Sequence, residues 1–228
     1  MIRITNLGFG YGEKPVLNQL SAQFDSGLTH GIVGLNGSGK TTFFNLLAGF
    51  LIPDAGEIRF DDKPLRKGDI AYIDAEPFFY PNLSAREFLS VFPQTNRHYR
   101  EAELAGVFGL PLDELISHYS TGMKRKLLIL SQLRQDKSVF IFDEPFNGLD
   151  LESNRSLQFM IGLLNQKGKT VLVASHILEP LFSICHRIHH LRDGAFAKSY
   201  LPESYSTLDH DVFREFNDRI KNLLADAI

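Results

Sequence analysis

The sequence GLNGSGKTT at residues 34–42 matches the pattern G-x-x-x-x-G-K-[ST] and is the strongest local signal in the chain. The pattern fixes two glycines, Gly34 and Gly39, and this loop carries a third, Gly37, between them. Because glycine has no side chain, backbone N–H groups in such a loop can wrap closely around phosphate oxygens. Lys40 would reach the β- and γ-phosphates, and the Thr41 hydroxyl would bind Mg²⁺. A plain chain-reversing turn is the alternative, but the apolar strand before the loop and the apolar helix after it favour a phosphate-binding loop.

A second signal is the pair of acidic residues near the end of the apolar run SVFIFDEP, residues 138–145. Two adjacent carboxylates at the end of a buried strand are costly unless they meet cations or take part in chemistry. We expect Asp143 to hold Mg²⁺, directly or through water, and Glu144 to polarise an attacking water as general base. The alternative is a strand end that opens into a turn fixed by Pro145, but the phosphate-binding loop favours the chemical interpretation.

The order of predicted strands and helices indicates one α/β domain. Residues 1–76 and 135–228 alternate short strands with amphipathic helices, which is typical of a mostly parallel sheet, and a small antiparallel β section opens the chain. Between them, residues 77–134 are predicted to be helical and are interrupted by prolines, which indicates an inserted helical subdomain. The tail over residues 209–228 has one apolar face, which predicts a final amphipathic helix.

The stretch HYSTGMKRKLLIL, residues 118–130, predicts a helix whose first turn is suited to an anion. Its free backbone N–H groups, the positive end of the helix dipole and the basic residues 124–126 all favour negative charge. Two interpretations of Ser120 are open. It is simply a good N-cap residue, or it belongs to a second phosphate-binding site besides the one predicted at residues 34–42.

Composition restricts the class of function. The 228 residues carry a formal charge of -3 at pH 7, which gives no global attraction to nucleic acid, so we expect no nucleic-acid partner. A local basic patch at residues 124–126 stays open. Cys185 is the only cysteine, so no intrachain disulfide can form. Since no run of about 18 apolar residues is present to span a bilayer, we expect a soluble cytoplasmic protein whose role at a membrane depends on a partner.

Together these motifs resemble those of the ATP-binding subunits of ABC transporters, in the same order and over nearly all of the chain. GLNGSGKT resembles the family's phosphate loop, FIFDEP its second acidic motif and YSTGM its signature motif. NGLD at residues 147–150 resembles its D-loop, and the SH pair at residues 175–176 resembles its switch histidine. The resemblance implies a single P-loop NTPase domain with a RecA-like core, ATP and Mg²⁺ as cofactors, and hydrolysis of ATP.

The resemblance also implies a role for each motif residue. ATP would contact Tyr11, with its ring against the adenine, and the loop residues Asn36, Gly37, Ser38, Gly39, Lys40, Thr41 and Thr42. Mg²⁺ would bind Thr41 and Asp143; Glu144 and His176 would be catalytic, with His176 at the γ-phosphate. The residues facing a second copy of the chain, or a homologous ATPase subunit, would be Ser120, Thr121, Gly122 and Asp150. Asp150 also precedes a helix, so a plain N-cap is its alternative role. The dimer would drive integral membrane permease subunits from the inner face of the cell membrane.

Two features depart from the family pattern. Ala75 stands where the family usually carries a glutamine that touches Mg²⁺ or the attacking water, with Asp74 and Glu76 on either side. The signature motif carries Tyr119, Thr121 and Met123, where Leu, Gly and Gln are frequent. These departures keep open a nucleotide-binding regulator that scarcely turns ATP over. A soluble ABC-type ATPase that acts outside transport is a further alternative.

The aromatic segment PFFYPNL, residues 77–83, falls where the family docks its membrane partner, and it is a candidate docking surface. The alternative is a loop that packs inside the helical subdomain. The stretches YSTGMKRKL and FNGLD are more similar to small exporter-type ATPases than to nutrient importers. The resemblance therefore favours export.

Overall fold

The computed structural model of the chain describes residues 1–213. The strands in this range are β1 (Ile2–Tyr11), β2 (Lys14–Phe24), β3 (Thr29–Val33), β4 (Ala55–Phe60), β5 (Lys63–Pro64), β6 (Ile70–Ile73), β7 (Val139–Asp143), β8 (Thr170–Ala174), β9 (Arg187–Arg192) and β10 (Ala195–Tyr200). The helices are α1 (Lys40–Leu47), α2 (Ala85–Ser90), α3 (Glu101–Val107), α4 (Thr121–Leu133), α5 (Leu151–Gln166) and α6 (Leu178–Ile184). A further helical stretch covers residues 205–213. Most of the predicted tail helix, from residue 214 onward, lies outside the described residues.

The larger sheet has the strand order β10-β9-β3-β8-β7-β6 and is parallel except where β10 pairs with β9. The predicted α/β class with a mostly parallel sheet is therefore confirmed. A second, antiparallel sheet has the order β2-β1-β4-β5. The sequence predicted this antiparallel section at the N-terminus. The sheet also includes β4 and β5, which follow α1 in the chain. They join because β1 pairs with β2 along one edge and with β4 along the other.

Alternation along the central strands gives the parallel sheet two buried faces. In β7, Val139 and Ile141 belong to one hydrophobic cluster, with α1 and the antiparallel sheet. Phe140 and Phe142 belong to the other, with α5 and α6. All four side chains are at most 1% exposed, and burial of each contributes roughly 1.5–3 kcal/mol. Because the parallel strands are covered on both sides, their carboxyl ends are held in fixed positions relative to one another.

The chain between β6 and β7 carries α2, α3 and α4. These helices pack around a hydrophobic cluster of their own, which includes Phe88, Leu89, Leu127 and Leu130. The division of the chain into a core at residues 1–76 and 135–228 and a helical subdomain at 77–134 stays a prediction. Among residues 1–213, no helix has the length and apolar character needed to cross a membrane.

Two histidines are buried in the sheet beneath α1. His30 on β3 is 0% exposed and His189 on β9 is 4% exposed. His30 Nε2 lies 3.0 Å from the Asp25 carbonyl oxygen, which can only accept, so this nitrogen carries the proton. With both rings neutral, His30 Nδ1 accepts from His189 Nε2 at 3.2 Å, and His189 Nδ1 accepts from the Ser199 hydroxyl at 2.8 Å. This chain of hydrogen bonds is satisfied without a charge on either ring.

Acid is expected to destabilise the fold through this pair. Burial lowers the pKa of His30 to about 4 and that of His189 to about 3, against 6.5 for an ordinary histidine. Below pH 6.5 the unfolded chain therefore binds more protons than the folded chain. The contribution of the two neutral histidines to the free energy of unfolding is fully present above that pH, and it is lost as the pH falls toward their pKa values in the folded chain. We expect the free energy of unfolding, measured with urea, to fall by about 1 kcal/mol per histidine between about pH 6.5 and 5.5.

Two asparagine variants test this assignment. His189→Asn should remove about half of this pH dependence, since one of the two buried imidazoles is gone. His98→Asn should leave it unchanged, because His98 is exposed to water in the folded chain. An identical pH dependence in His189→Asn and in the unmodified chain would refute the role of the pair.

Candidate functional site at the carboxyl ends of the parallel strands

The loop at residues 34–39 joins β3 to α1 and depends on its glycines for two different reasons. Gly37 and Gly39 have φ values of 82° and 102°, in the left-handed region that favours glycine. Gly34 has no such conformation, but a Cβ there would lie 2.4 Å from the Leu191 carbonyl oxygen on β9. The loop is therefore pressed against the neighbouring strand. Its backbone N–H groups are presented at the start of α1.

Lys40 is the first residue of α1 and is only 7% exposed. Its Nζ donates to the Gly34 carbonyl at 2.8 Å and to the Leu35 carbonyl at 3.4 Å. The same nitrogen lies 3.9 Å from Glu144 Oε1. Burial lowers the pKa of the ammonium, and the carboxylates of Glu144 and Asp143 oppose this shift. A positive charge is thus held inside the loop, where an anion on the loop would meet it.

Asp143 ends β7 and is 0% exposed. Its Oδ2 accepts a hydrogen bond from the Tyr72 hydroxyl at 3.3 Å, and the Thr41 hydroxyl also faces this carboxylate. Its Oδ1 is buried with no hydrogen-bond partner in residues 1–213. Burial raises the pKa of Asp143, and the contacts from Thr41 and Tyr72 oppose that shift. A buried carboxylate oxygen that lacks a partner, beside a hydroxyl, is a donor set that suits a hard divalent cation such as Mg²⁺.

Glu144 and His176 meet because β7 and β8 are neighbours in register. Asp143 pairs with Ala174 in the sheet, and the Glu144 N–H donates to the Ala174 carbonyl at 2.9 Å. The residues that follow each strand therefore lie side by side, and His176 Nδ1 is 2.9 Å from Glu144 Oε2. Glu144 has a φ of 45°, an unusual conformation for a side chain of this size. Such strained residues cluster at functional sites, where the surrounding structure holds them.

A cavity of about 620 Å³ opens over this loop. All the predicted nucleotide-contacting residues except Ser38 line it, and Glu144 lines it as well. Tyr11 stands at its rim, 54% exposed, with its ring against Phe9 at a centroid distance of 5.0 Å. The Ser38 hydroxyl is buried on the other side of the loop, next to the Gly34 backbone, so it does not line the cavity. The structure therefore gathers most of the predicted phosphate and catalytic residues around one space.

The remaining predicted residues form a separate group at the starts of α4 and α5. Ser120 is the N-cap of α4 and accepts from the Met123 N–H at 3.2 Å. Asp150 is the N-cap of α5 and accepts from the Ser153 N–H at 2.7 Å, and this contact lowers the pKa of Asp150. The two helix starts touch, since a Cβ on Gly122 would lie 2.9 Å from Ser153 Oγ. The 620 Å³ cavity is lined by none of the four residues of this group, Ser120, Thr121, Gly122 and Asp150.

Two contacts at this site were not predicted. The sequence did not predict the hydrogen bond from Tyr72 to Asp143. Its only signal is an aromatic residue in the short strand IAYI, and the structure shows that this residue is half-buried. The sequence leaves open a basic patch at residues 124–126, and the structure shows that Arg125 does not belong to it. Its guanidinium is buried and donates to the carbonyls of Asp74 and Ala75 at 2.9 Å and 3.2 Å. Burial of this side chain removes it from any surface patch.

The chain is similar to known proteins over most of its length. A family model described as ABC transporter matches residues 17–147. The Nod factor export ATP-binding protein I of Paraburkholderia xenovorans is 34% identical over 201 residues, which cover 81% of this chain and 65% of that protein. The lantibiotic transport ATP-binding protein SrtF of Streptococcus pyogenes is 28% identical over 85% of this chain and 88% of its own length. A solved ATP-binding subunit of an ABC transporter superposes with a TM-score of 0.79 at 26% identity, covering 99% of this chain and 98% of that one.

Proposed function

The chain belongs to the ABC transporter family of ATPases, and from that membership we propose that it binds and hydrolyses ATP to drive separate membrane subunits. ATP would occupy the cavity over residues 34–42, and closure of two copies around it would supply the motion. The observation that carries the proposal is the arrangement at the loop. Lys40 Nζ lies 3.9 Å from Glu144 Oε1 at the mouth of the loop at residues 34–39, beside the buried carboxylate of Asp143.

The residues in the loop suit a triphosphate with its magnesium. Backbone N–H groups at the start of α1 and the Lys40 ammonium would bind the phosphate oxygens, and Tyr11 at the rim would lie against the adenine. Thr41 and Asp143 would hold Mg²⁺, with Oδ1 of Asp143, which has no hydrogen-bond partner among residues 1–213, as a ligand. The metal, when bound, neutralises negative charge on the phosphates.

Glu144 is placed to act as general base. Its carboxylate would accept a proton from a water whose oxygen bonds to the γ-phosphorus, while the bond from that phosphorus to the bridging oxygen breaks. The products are ADP and phosphate. The contact from His176 Nδ1, 2.9 Å from Glu144 Oε2, would hold the carboxylate in position. His176 is 51% exposed, so it remains open to a γ-phosphate.

The group at the starts of α4 and α5 would serve a second ATP-binding subunit. Ser120, Thr121, Gly122 and Asp150 line no part of the cavity around Lys40 in their own chain. Free N–H groups at a helix start bind anions, so this group would close over the γ-phosphate held by the partner. The partner would be another copy of this chain or a homologous subunit.

A surface beside α2 is suited to a membrane partner. Four apolar side chains there are largely exposed: Phe50 at 58%, Phe78 at 76%, Tyr80 at 59% and Val91 at 67%. They border a groove of about 320 Å³, and the rings of Phe78 and Tyr80 meet edge to face at 5.1 Å. Exposed apolar patches of this kind mark interaction sites. We infer that a permease subunit docks here and holds the chain on the inner face of the cell membrane. The name of one relative, a Nod factor export ATP-binding protein, supports movement outward, and the name of the other, a lantibiotic transport ATP-binding protein, supports a role in transport.

A second candidate, an ATP-binding regulator with very slow turnover, is favoured by one observation. Ala75 has a methyl side chain that cannot bind a metal or a water, and its carbonyl is already bonded to Arg125. Under this alternative the chain would bind ATP and pair, but Glu144 would contribute little to turnover. The two candidates share the same ATP site and differ only in rate.

The transport role is tested by a double variant at the groove. Phe78→Ser with Tyr80→Ser should reduce retention of the chain on membranes that contain its transmembrane subunits by about tenfold, since buried aromatic anchors dominate such interfaces. Its affinity for ATP with Mg²⁺, measured by calorimetry, should not change, because neither ring lines the ATP cavity. Retention is measured by sedimentation and immunoblotting.

Phe159→Ser is the matched control, because Phe159 is an aromatic on α5 with a comparable exposure of 69%. It should leave membrane retention unchanged. Equal retention of the double variant and the unmodified chain would reject the docking surface. A complete lack of magnesium-dependent ATP affinity in the unmodified chain would reject the proposed function itself.

A further inference from the structure

Arg125 makes a contact that connects two parts of the proposed machinery. It lies in α4, five residues after the N-cap Ser120, and its side chain is only 6% exposed. The guanidinium donates through Nη1 to the Asp74 carbonyl at 2.9 Å and through Nη2 to the Ala75 carbonyl at 3.2 Å. A buried guanidinium is costly unless its donors are satisfied, so this geometry holds α4 firmly against the backbone that follows β6.

The loop that Arg125 contacts follows the strand that is hydrogen-bonded to the proposed metal carboxylate. Residues 74 and 75 follow β6, and β6 pairs with β7 in parallel register, with Tyr72 opposite Ile141 and Ile73 opposite Phe142. From this strand the Tyr72 hydroxyl donates to Asp143 Oδ2. Burial lowers the pKa of Arg125, and the negative charges of Asp74 and Asp143 oppose this shift. One arginine therefore contacts the loop that follows the strand beside the proposed metal carboxylate.

The other end of the connection is the start of α4. A helix is rigid over a turn and a half, so fixing Arg125 also fixes the direction in which Ser120 and Gly122 point. Gly122 is packed against Ser153 at the start of α5, which ties this helix start to Asp150 as well. The helix start proposed to meet the partner's ATP is thus linked, through the polar contact of Arg125, to the segment beside the residues proposed to hold the chain's own metal.

We propose that Arg125 is a positioning residue that couples the two half-sites: it sets the orientation of the α4 start, at residues 120–122, according to the state of the loop at residues 74–75. The contact is made to main-chain carbonyls, so it works although residue 75 is an alanine. Arg125 does not line the cavity proposed for ATP. It governs how well the chain pairs with its partner once ATP is bound. This inference rests on the proposed function, since it needs an ATP-dependent dimer.

The test separates ATP binding from ATP-dependent pairing. Each variant is made in a chain carrying Glu144→Gln, so that ATP is retained during the measurement. Calorimetry gives the affinity for ATP with Mg²⁺, and analytical ultracentrifugation gives the dimer dissociation constant at saturating ATP. Arg125→Gln should weaken the dimer about tenfold, because hydrogen bonds from a charged group are lost, and should change the ATP affinity by less than about twofold.

Two further variants exclude a merely structural role. Arg125→Lys keeps the charge and can reach one carbonyl, so it should restore part of the pairing, with a dimer about threefold weaker than the parent. Arg134→Gln is the matched control: Arg134 caps the other end of α4 and donates to the Phe92 carbonyl at 2.9 Å. It should lower the melting temperature, as Arg125→Gln does, but leave the dimer constant unchanged.

The inference is overturned if Arg125→Gln and its parent dimerise with the same constant, or if Arg134→Gln weakens the dimer equally. Both of these results would leave the proposed function intact, because the parent would still bind ATP and pair. A parent chain that neither binds ATP nor dimerises would instead overturn the proposed function, and the role of Arg125 with it.

Discussion

ATP turnover is expected to fall at least about a hundredfold when Glu144 is replaced by Gln, because a general base contributes that much or more to such a reaction. Glutamine has nearly the same size and can still contact His176 Nδ1, which lies 2.9 Å from Glu144 Oε2. It cannot accept a proton from water. The loss should therefore appear in the turnover number, measured as phosphate release at saturating ATP, while the affinity for ATP stays within about threefold.

The same variant should also trap the dimer, since ATP that is not hydrolysed keeps both chains bound to the γ-phosphate. Glu103→Gln, a change of the same kind at an exposed carboxylate in the first turn of α3, is its control and should leave turnover unaffected. Equal and near-zero rates in the unmodified chain and in Glu144→Gln would favour the slow regulator. Full turnover by Glu144→Gln would remove Glu144 from the mechanism.

Replacing Lys40 with Ala should weaken the binding of ATP with Mg²⁺ by at least about thirtyfold, because the loss of one partner from a buried, hydrogen-bonded charge pair costs ~2 kcal/mol or more. Lys40 is only 7% exposed, so water cannot replace its ammonium easily. Its two bonds to the carbonyls of Gly34 and Leu35 show how closely the loop surrounds this charge. Calorimetry in the presence and absence of Mg²⁺ measures the effect.

Lys63→Ala is the control for this experiment, because Lys63 is an exposed lysine on β5, outside the cavity. Its ATP affinity should match that of the unmodified chain. If Lys40→Ala binds ATP with Mg²⁺ as tightly as the unmodified chain, the loop at residues 34–42 does not bind the triphosphate. The proposed function would then fail as well.

Much of the fold could be predicted because its signals are local. The run at residues 138–145 alternates apolar side chains toward two buried faces and then carries two carboxylates, so both the strand β7 and its acidic end are visible in eight residues. The strand, loop and helix around residues 34–42 are equally local. By contrast, β5 has only two residues, too few to carry a periodic pattern, and the sequence did not predict it.

The pattern of residues was sufficient to predict the glycine-rich loop between strand and helix, the acidic strand end and the α/β class, because glycine conformation, strand alternation and helix capping depend on neighbours within about ten positions. The contacts that unite the site depend on the packing of distant segments: Tyr72 with Asp143, Arg125 with the carbonyls of residues 74 and 75, and His30 with His189. No periodicity in the chain specifies which residue 50, 71 or 159 positions away will lie opposite. Those partners are selected only when the strands pair in register and the helices cover them, because burial then requires each polar group to find a hydrogen bond.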